Sequence, residues 1–150
     1  MMVYDASEHV AAWVAAKLGH RFGICTAIGV AEGQRLIAGV VYHEYREVPK
    51  TMQMSVYAER GSNWLSRAAL EQFFGYPFLH LACNAVYITV RRSNKHAKRF
   101  VHRIGFKPAG LLRRGFGTED AVLYDMLPTE CKWLHRSGHG QVSRISASGS

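Results

Sequence analysis

A chain of 150 residues, 48% of them hydrophobic, is one domain's worth of sequence with enough apolar side chains for an ordinary core. Its formal net charge of +8 argues against cationic partners and toward anionic ones. No apolar run approaches the roughly 18–20 residues of a membrane span, and Met1–Glu8 has neither a basic start nor a signal-type apolar core, so a soluble cytoplasmic protein is expected.

The predicted elements follow in chain order. Asp5-Ala-Ser-Glu8 has the form of a capping box before a helix over His9–Leu18, with Val10, Trp13, Val14 and Leu18 on one face and Gly19 as its stop. Ile24–Ala31 and Arg35–Tyr45 read as strands joined across Glu32-Gly33-Gln34. After a turn at Pro49-Lys50, Thr51–Tyr57 alternates Met52, Met54 and Val56 against Gln53 and Ser55, which predicts a third strand. Ser62 or Asn63 is positioned to cap a helix through Phe74, ended by Gly75-Tyr-Pro77. Ala85–Val90 is almost uniformly apolar, the pattern of a strand covered on both faces. Lys95–Ile104 is a helix capped by Ser93 or Asn94 and closed by Gly105. Phe106–Arg114 and Ala121–Leu127 pair across Gly115-Phe-Gly117, and Pro128–His135 adds a last helical turn or two. The order α, β, β, β, α, β, α, β, β predicts one α+β domain over residues 1–135. The Ser- and Gly-rich tail, 136–150, is expected to be disordered.

Charge and cysteine placement narrow the chemistry. From Gln72 to Thr118 there is no acidic residue, while Arg91, Arg92, Lys95, Lys98, Arg99, Arg103, Lys107, Arg113 and Arg114 all lie within that span. Such a face is a solvated surface, a seat for a polyphosphate cofactor, or a nucleic-acid contact through Arg91–Arg114. Cys25, Cys83 and Cys131 are widely spaced with no C-x-x-C, which fits a reducing compartment, and Cys83 reads as a core thiol. Cys131, His135 and His139 have metal-like spacing, but the Ser/Gly tail around Gly138 offers no rigid site, so no metal is expected.

The segment Val86–Phe106 carries a resemblance. A strand, Asn94, Ala97 three residues on and Gly105-Phe106 eleven residues after the Asn occur in that order. This resembles the second half of the acyl-CoA-binding core of the GCN5-related N-acetyltransferase (GNAT) superfamily. With Tyr76-Pro77-Phe78 and the ending Tyr124–Trp133, the character is that of compact bacterial or phage-encoded members. The resemblance implies a single domain with a mixed, mainly antiparallel sheet, splayed central strands and flanking helices. It implies acetyl-CoA or another acyl-CoA as cofactor. The pantetheine would lie along the backbone near Ser55 and Val56, and the pyrophosphate on the segment holding Arg60, Gly61, Ser62, Asn63, Trp64, Ser66 and Arg67. Arg60-Gly61 fits the superfamily's Gly-rich run, whereas Trp64 and Ser66 stand where small residues are usual. Asn94 would cap its helix and touch the cofactor, and Lys98 would reach its phosphates.

Acylation of an amine needs a base for the amine proton and an acid for the leaving thiolate. Many GNAT enzymes carry a Tyr acid where this chain has Val101, so Tyr124 on the last strand is the replacement candidate. The polar run Tyr42-His43-Glu44-Tyr45 offers His43 or Glu44 as base, with alternation placing His43 and Tyr45 on one face. The expected reaction is acyl transfer from CoA to a primary amine. Two alternatives keep the fold: a Mom-like, phage-type DNA base-modification protein, or a non-catalytic binding module. Edge strands allow a homodimer.

Overall fold

A computed structural model of the chain describes residues 1–134, so the tail and the His135 and His139 positions lie outside the described residues. Strands β1 (Met2–Val3), β2 (Cys25–Glu32), β3 (Arg35–Arg46), β4 (Thr51–Ala58), β5 (Ala85–Arg91), β6 (Lys107–Leu112) and β7 (Ala121–Met126) form one sheet in the order β1-β2-β3-β4-β5-β7-β6. Every neighbouring pair is antiparallel except β4–β5. Helices α1 (Ser7–Leu18), α2 (Arg67–Gly75) and α3 (Lys95–Ile104) complete the expected α+β order. Strand β1 is an addition: two residues that pair with Val30 and Gly29 are too short to show a period.

The two faces of the sheet carry different helices. On one face α1 buries Val10, Ala11 and Val14 against Ala27 and Val41, each fully buried Val contributing about 1.5–3 kcal/mol. Gly29 and Gly39 let the helix approach, because a Cβ at Gly39 would stand 2.7 Å from Val14 Cγ2 and 2.9 Å from Val10 Cγ1. The predicted capping box does not form. Ala6, whose side chain has no polar atom, is the cap residue in place of Asp5, and the Ser7 hydroxyl turns to β2, accepting from the Ala27 N–H (3.1 Å) and donating to its carbonyl (3.2 Å). On the other face, Val40, Tyr42, Met54, Ile88 and Met126 pack under Leu70 and Phe73 of α2 and Val101 and Ile104 of α3. Strand β5 departs from its predicted double cover, since Tyr87 and Thr89 on the α1 side are only half-buried.

The pair β4–β5 joins only over Thr51↔Ala85, Met52↔Val86 and Gln53↔Tyr87. Beyond Gln53 the strands part, while β4 keeps its antiparallel ladder with β3 to Ala58↔Ala38 and β5 keeps its own with β7. A V therefore opens in the middle of the sheet toward the C-terminal ends of two parallel strands, where α/β sheets hold ligands.

The cap of helix α2 stands four residues later than the first predicted cap, Ser62. Ser66 is the cap, accepting from the Ala69 N–H at 3.0 Å. The Ser62 hydroxyl instead donates to the Glu59 carbonyl (2.7 Å) within a turn where Gly61 takes φ +77°. Gly75-Tyr-Pro77 does not end the helix either; it passes into one π turn over Tyr76–His80. Pro77 has no N–H to give the Phe73 carbonyl, and the buried Tyr42 hydroxyl fills the vacancy, donating to it at 2.7 Å. Burial also pushes the Tyr42 phenol well above its ordinary value, so it stays protonated as that donor.

Two outcomes test this packing by urea unfolding. Tyr42→Phe leaves the Phe73 carbonyl without its donor and is expected to destabilise by about 1–3 kcal/mol. Gly39→Ala forces a methyl onto Val10 and Val14 and is expected to destabilise by about 1–3 kcal/mol.

Candidate active site

The vertex of the V lies at Gln53, the last β4 residue paired with β5. His43 on β3 is the partner of Gln53, and Ser55 is the partner of Val41. Register places all four on the face that α1 covers, the same face as Gly39 and Val41. His43 Nε2 and Ser55 Oγ are 2.9 Å apart. The His43 imidazole is buried, 6% exposed, with the Phe22 ring 4.9 Å and the His20 ring 6.4 Å away. Burial lowers its pKa, and nearby Glu44 works in the opposite direction. At neutral pH the ring is therefore neutral, the form that can accept a proton.

The other two candidate catalytic residues stand elsewhere. Alternation along β3 breaks after His43, where the register shifts before Arg46 and Glu44 takes φ +53°. Glu44 and Tyr45 are both exposed as a result, at the closed end of the cleft. Tyr45 therefore does not share the buried face of His43 as alternation predicted. Tyr124 pairs with Ile88 on the far side of β5 and is 6% exposed in the core beneath α2 and α3. It lies on the opposite face of the sheet from His43 and Ser55, so the structure does not bring the three together. Val56 and Met54 also face the α2–α3 side, and with Trp64, Ile88, Phe100 and Val101 they close an apolar void of about 20 Å³.

The segment after β4 departs from a simple phosphate cradle. Trp64 packs on Phe73 and Phe100, with ring centroids 5.9 and 5.8 Å away, as a plug between the two helices. Arg67 lies over the Trp133 ring (5.5 Å) and 3.9 Å from Glu71. The Trp133 indole donates to the Ile104 carbonyl at 2.9 Å, so Arg67 is tied toward the last turn of α3 and not its start. Arg60, Gly61 and Asn63 are exposed, Ser62 is half-buried, and Arg60 has no ion pair among the described residues. At the start of α3, Asn94 Oδ1 accepts from the Ala97 N–H (3.0 Å), the predicted cap. Lys98 folds back to donate to the Arg92 carbonyl (2.8 Å).

Glu119 and Asp120, in the β6–β7 connection, belong to the same end of the cleft, and the sequence reading missed them. The Glu119 carboxylate accepts from the Ser93 N–H (2.7 Å) and sits 3.6 Å from Arg91; Asp120 accepts from Arg92 (3.1 Å) and from the Arg114 N–H (2.9 Å). Arg91 also stacks on Phe116 at 4.6 Å. The basic span is thereby partly neutralised by acids just outside its boundary. Only the Gly115–Gly117 turn signal hinted that these side chains fold back. Among the described residues no group of three His, Cys, Asp or Glu side chains is placed to hold a metal ion, and no helix is long and apolar enough to cross a membrane.

A seven-stranded mixed sheet opened between its two parallel strands, with a helix following each, defines an α+β domain with a central cleft. This is the GCN5-related N-acetyltransferase fold. The dodecameric spermidine N-acetyltransferase of Vibrio cholerae superposes with a TM-score of 0.71 at 15% identity, over 92% of this chain and 98% of that one. The ribosomal-protein-S5-alanine acetyltransferase of Vibrio fischeri gives 0.63 at 13% identity, over 79% and 67%. At these identities the likeness is one of fold. No protein-family model and no curated protein sequence matches the chain.

The carboxyl clamp sets an expectation for acid. The Ser93 side chain and N–H hold Glu119 below its ordinary pKa, and the Arg114 N–H does so for Asp120. A pKa lowered by folding means stability that is present above the unfolded values, 4.5 and 3.8, and lost as pH falls through the lower folded ones. Melting temperature is expected to drop on acidification below about pH 4.5, and less steeply in Glu119→Gln/Asp120→Asn, by thermal melts across about pH 3–6.

Proposed function

We propose that this protein is an acyl-CoA-dependent N-acyltransferase, with acetyl as the acyl group and a primary amine as the acceptor, and that residues 1–135 form the catalytic domain. The observation that carries this reading is the end of the β4–β5 ladder at Gln53↔Tyr87, which leaves one edge of Met54–Ala58 without a strand partner inside the sheet. An unpaired strand edge in a narrow cleft must find donors and acceptors, and the amides of a pantetheine arm supply them in the manner of an added strand. The chain's residues fit such a substrate.

The Val56 N–H, just past the vertex, polarises the acyl carbonyl. Ser55 and Val56 line the pantetheine path, and Arg60 with the Gly61–Asn63 backbone meets the phosphates as an exposed cation beside a positive-φ turn. Asn94 supports the other lip. An alkyl amine is almost wholly protonated at neutral pH, and the neutral His43 is placed to take the proton. A thiolate leaves readily because its conjugate acid ionises near pH 8.5, so Val101 in place of an acid is tolerable. The exposed edge strand β6, with Leu111 and Leu112 about half exposed, is where a second copy would pair. The acid clamp on Arg91 and Arg92 leaves the nucleic-acid reading without structural support.

Titration calorimetry with acetyl-CoA in moderate salt tests this. Micromolar binding is expected, weakened about tenfold by Arg60→Ala and little changed by Arg67→Ala, whose guanidinium is engaged elsewhere. Absence of binding even at low salt overturns the reading and leaves a non-catalytic module on this fold.

A further inference from the structure

Two departures from the superfamily's usual pattern meet in one place. Trp64 stands where a small residue is usual and Val101 where a Tyr is common, and both line the apolar void of about 20 Å³ between α2, α3 and the sheet. The void sits over the fork of the V. The last rung is Gln53↔Tyr87, and the next residue on each strand, Met54 and Ile88, lines it, as does Val56. Every side chain around it is apolar or aromatic. Its inner wall is buried, with Val101 2% and Met54 3% exposed. Its outer wall is the half-buried pair Trp64 and Phe100, with ring centroids 5.8 Å apart. Both rings are held from a second side, Trp64 by Phe73 (5.9 Å) and Phe100 by the Arg103 guanidinium (5.8 Å).

We infer that this void is the seat of the acyl group's alkyl end, and that Trp64 sets the length of chain it admits. The inference rests on the acyl-donor reading of the cleft, in which the Val56 N–H meets the acyl carbonyl. The Val56 side chain lines the void on the α2–α3 side of that contact. The other face of the fork offers Ser55, Tyr87 and Thr89, polar and half-buried, so an alkyl group is drawn to the apolar side by the water it leaves. A water-sized group fills about 10–15 Å³ on the same measure, so the void holds one methyl and no more. An acetyl group fits. Each further methylene has to displace a ring from a close-packed wall, which costs more than its burial returns. Trp64 is thus a specificity-determining residue: its indole occupies the path by which a longer chain would extend from the void toward the surface.

Titration calorimetry on the full chain tests this with CoA, acetyl-CoA, butyryl-CoA and hexanoyl-CoA. The readout is the affinity of each acyl-CoA relative to CoA in the same protein, which cancels losses of folded protein or of phosphate contacts. In the unaltered chain, butyryl-CoA is expected to bind at least about tenfold more weakly than acetyl-CoA. Trp64→Ala is expected to reverse that order, with Trp64→Phe falling between. Phe100→Leu thins the same wall from α3 and is expected to narrow the gap, which carries the test if Trp64→Ala does not fold. A merely structural Trp64 lowers the melting temperature on substitution and leaves the order of the acyl-CoAs as it was. CoA binding with the same chain-length order in every variant therefore overturns the gate and leaves the donor reading standing. Equal binding of all three acyl-CoAs by the unaltered chain does the same. No binding of CoA or any acyl-CoA overturns the donor reading, and the gate with it.

Discussion

Three rungs of parallel pairing hold β4 to β5, and the site depends on where they stop. Up to Gln53 the two strands are one continuous sheet; beyond it β4 follows β3 and β5 follows β7. Each outer ladder satisfies one edge of its strand, so the V can stay open at the cost of only the inner edges. α1 packs on the β2–β3–β4 half through Val10 and Val14, while α2 and α3 bridge both halves, over Val40 and Met54 on one side and Ile88 and Met126 on the other. Closing the V would have to repack both helices, which close-packed cores resist.

The helices were placed by tertiary demands that override local signals. Asp5 and Glu8 could have formed a capping box, but the helix takes Ala6 as its cap and the Ser7 hydroxyl bonds twice to Ala27 of β2. Ser62 could have started α2, but Gly61 turns the chain first and Trp64 must reach Phe73 and Phe100 before the helix begins. A half-buried indole packed on two aromatic rings contributes more than a cap, which is worth about 1 kcal/mol. Arg67 at the start of α2 is drawn toward Trp133 and the end of α3, and the turn around Arg60 and Gly61 is left exposed.

The two sides of the sheet divide the chemistry. The α2–α3 side is oily, with Met54, Val56, Ile88 and Val101 around a small apolar void, and Tyr124 is a core residue on that side. The α1 side carries the polar set, His43 and Ser55, because α1 covers β2, β3 and part of β4 and stops short of β5. Half-buried Tyr87 and Thr89 mark that limit. A buried, neutral imidazole beside a half-buried serine hydroxyl is what this partial cover produces.

Local chemistry and period were enough to read most of the fold from the chain. The alternation of Met52, Met54 and Val56, the apolar run of β5 and the Asn94 to Gly105-Phe106 spacing identified the strands, the cap and the α+β order, since each is decided by residues a few positions apart. The site was legible only as a set of candidates. His43 and Ser55 were named for different roles, and only the β3–β4 register made them a pair. Glu44 and Tyr124 were separated from them by a bulge and by the opposite face of the sheet, and Glu119 and Asp120 entered through a hairpin that folds back. Those outcomes depend on contacts between residues far apart in sequence, and registers, bulges and helix displacements are settled by packing the whole core at once, which no local pattern encodes.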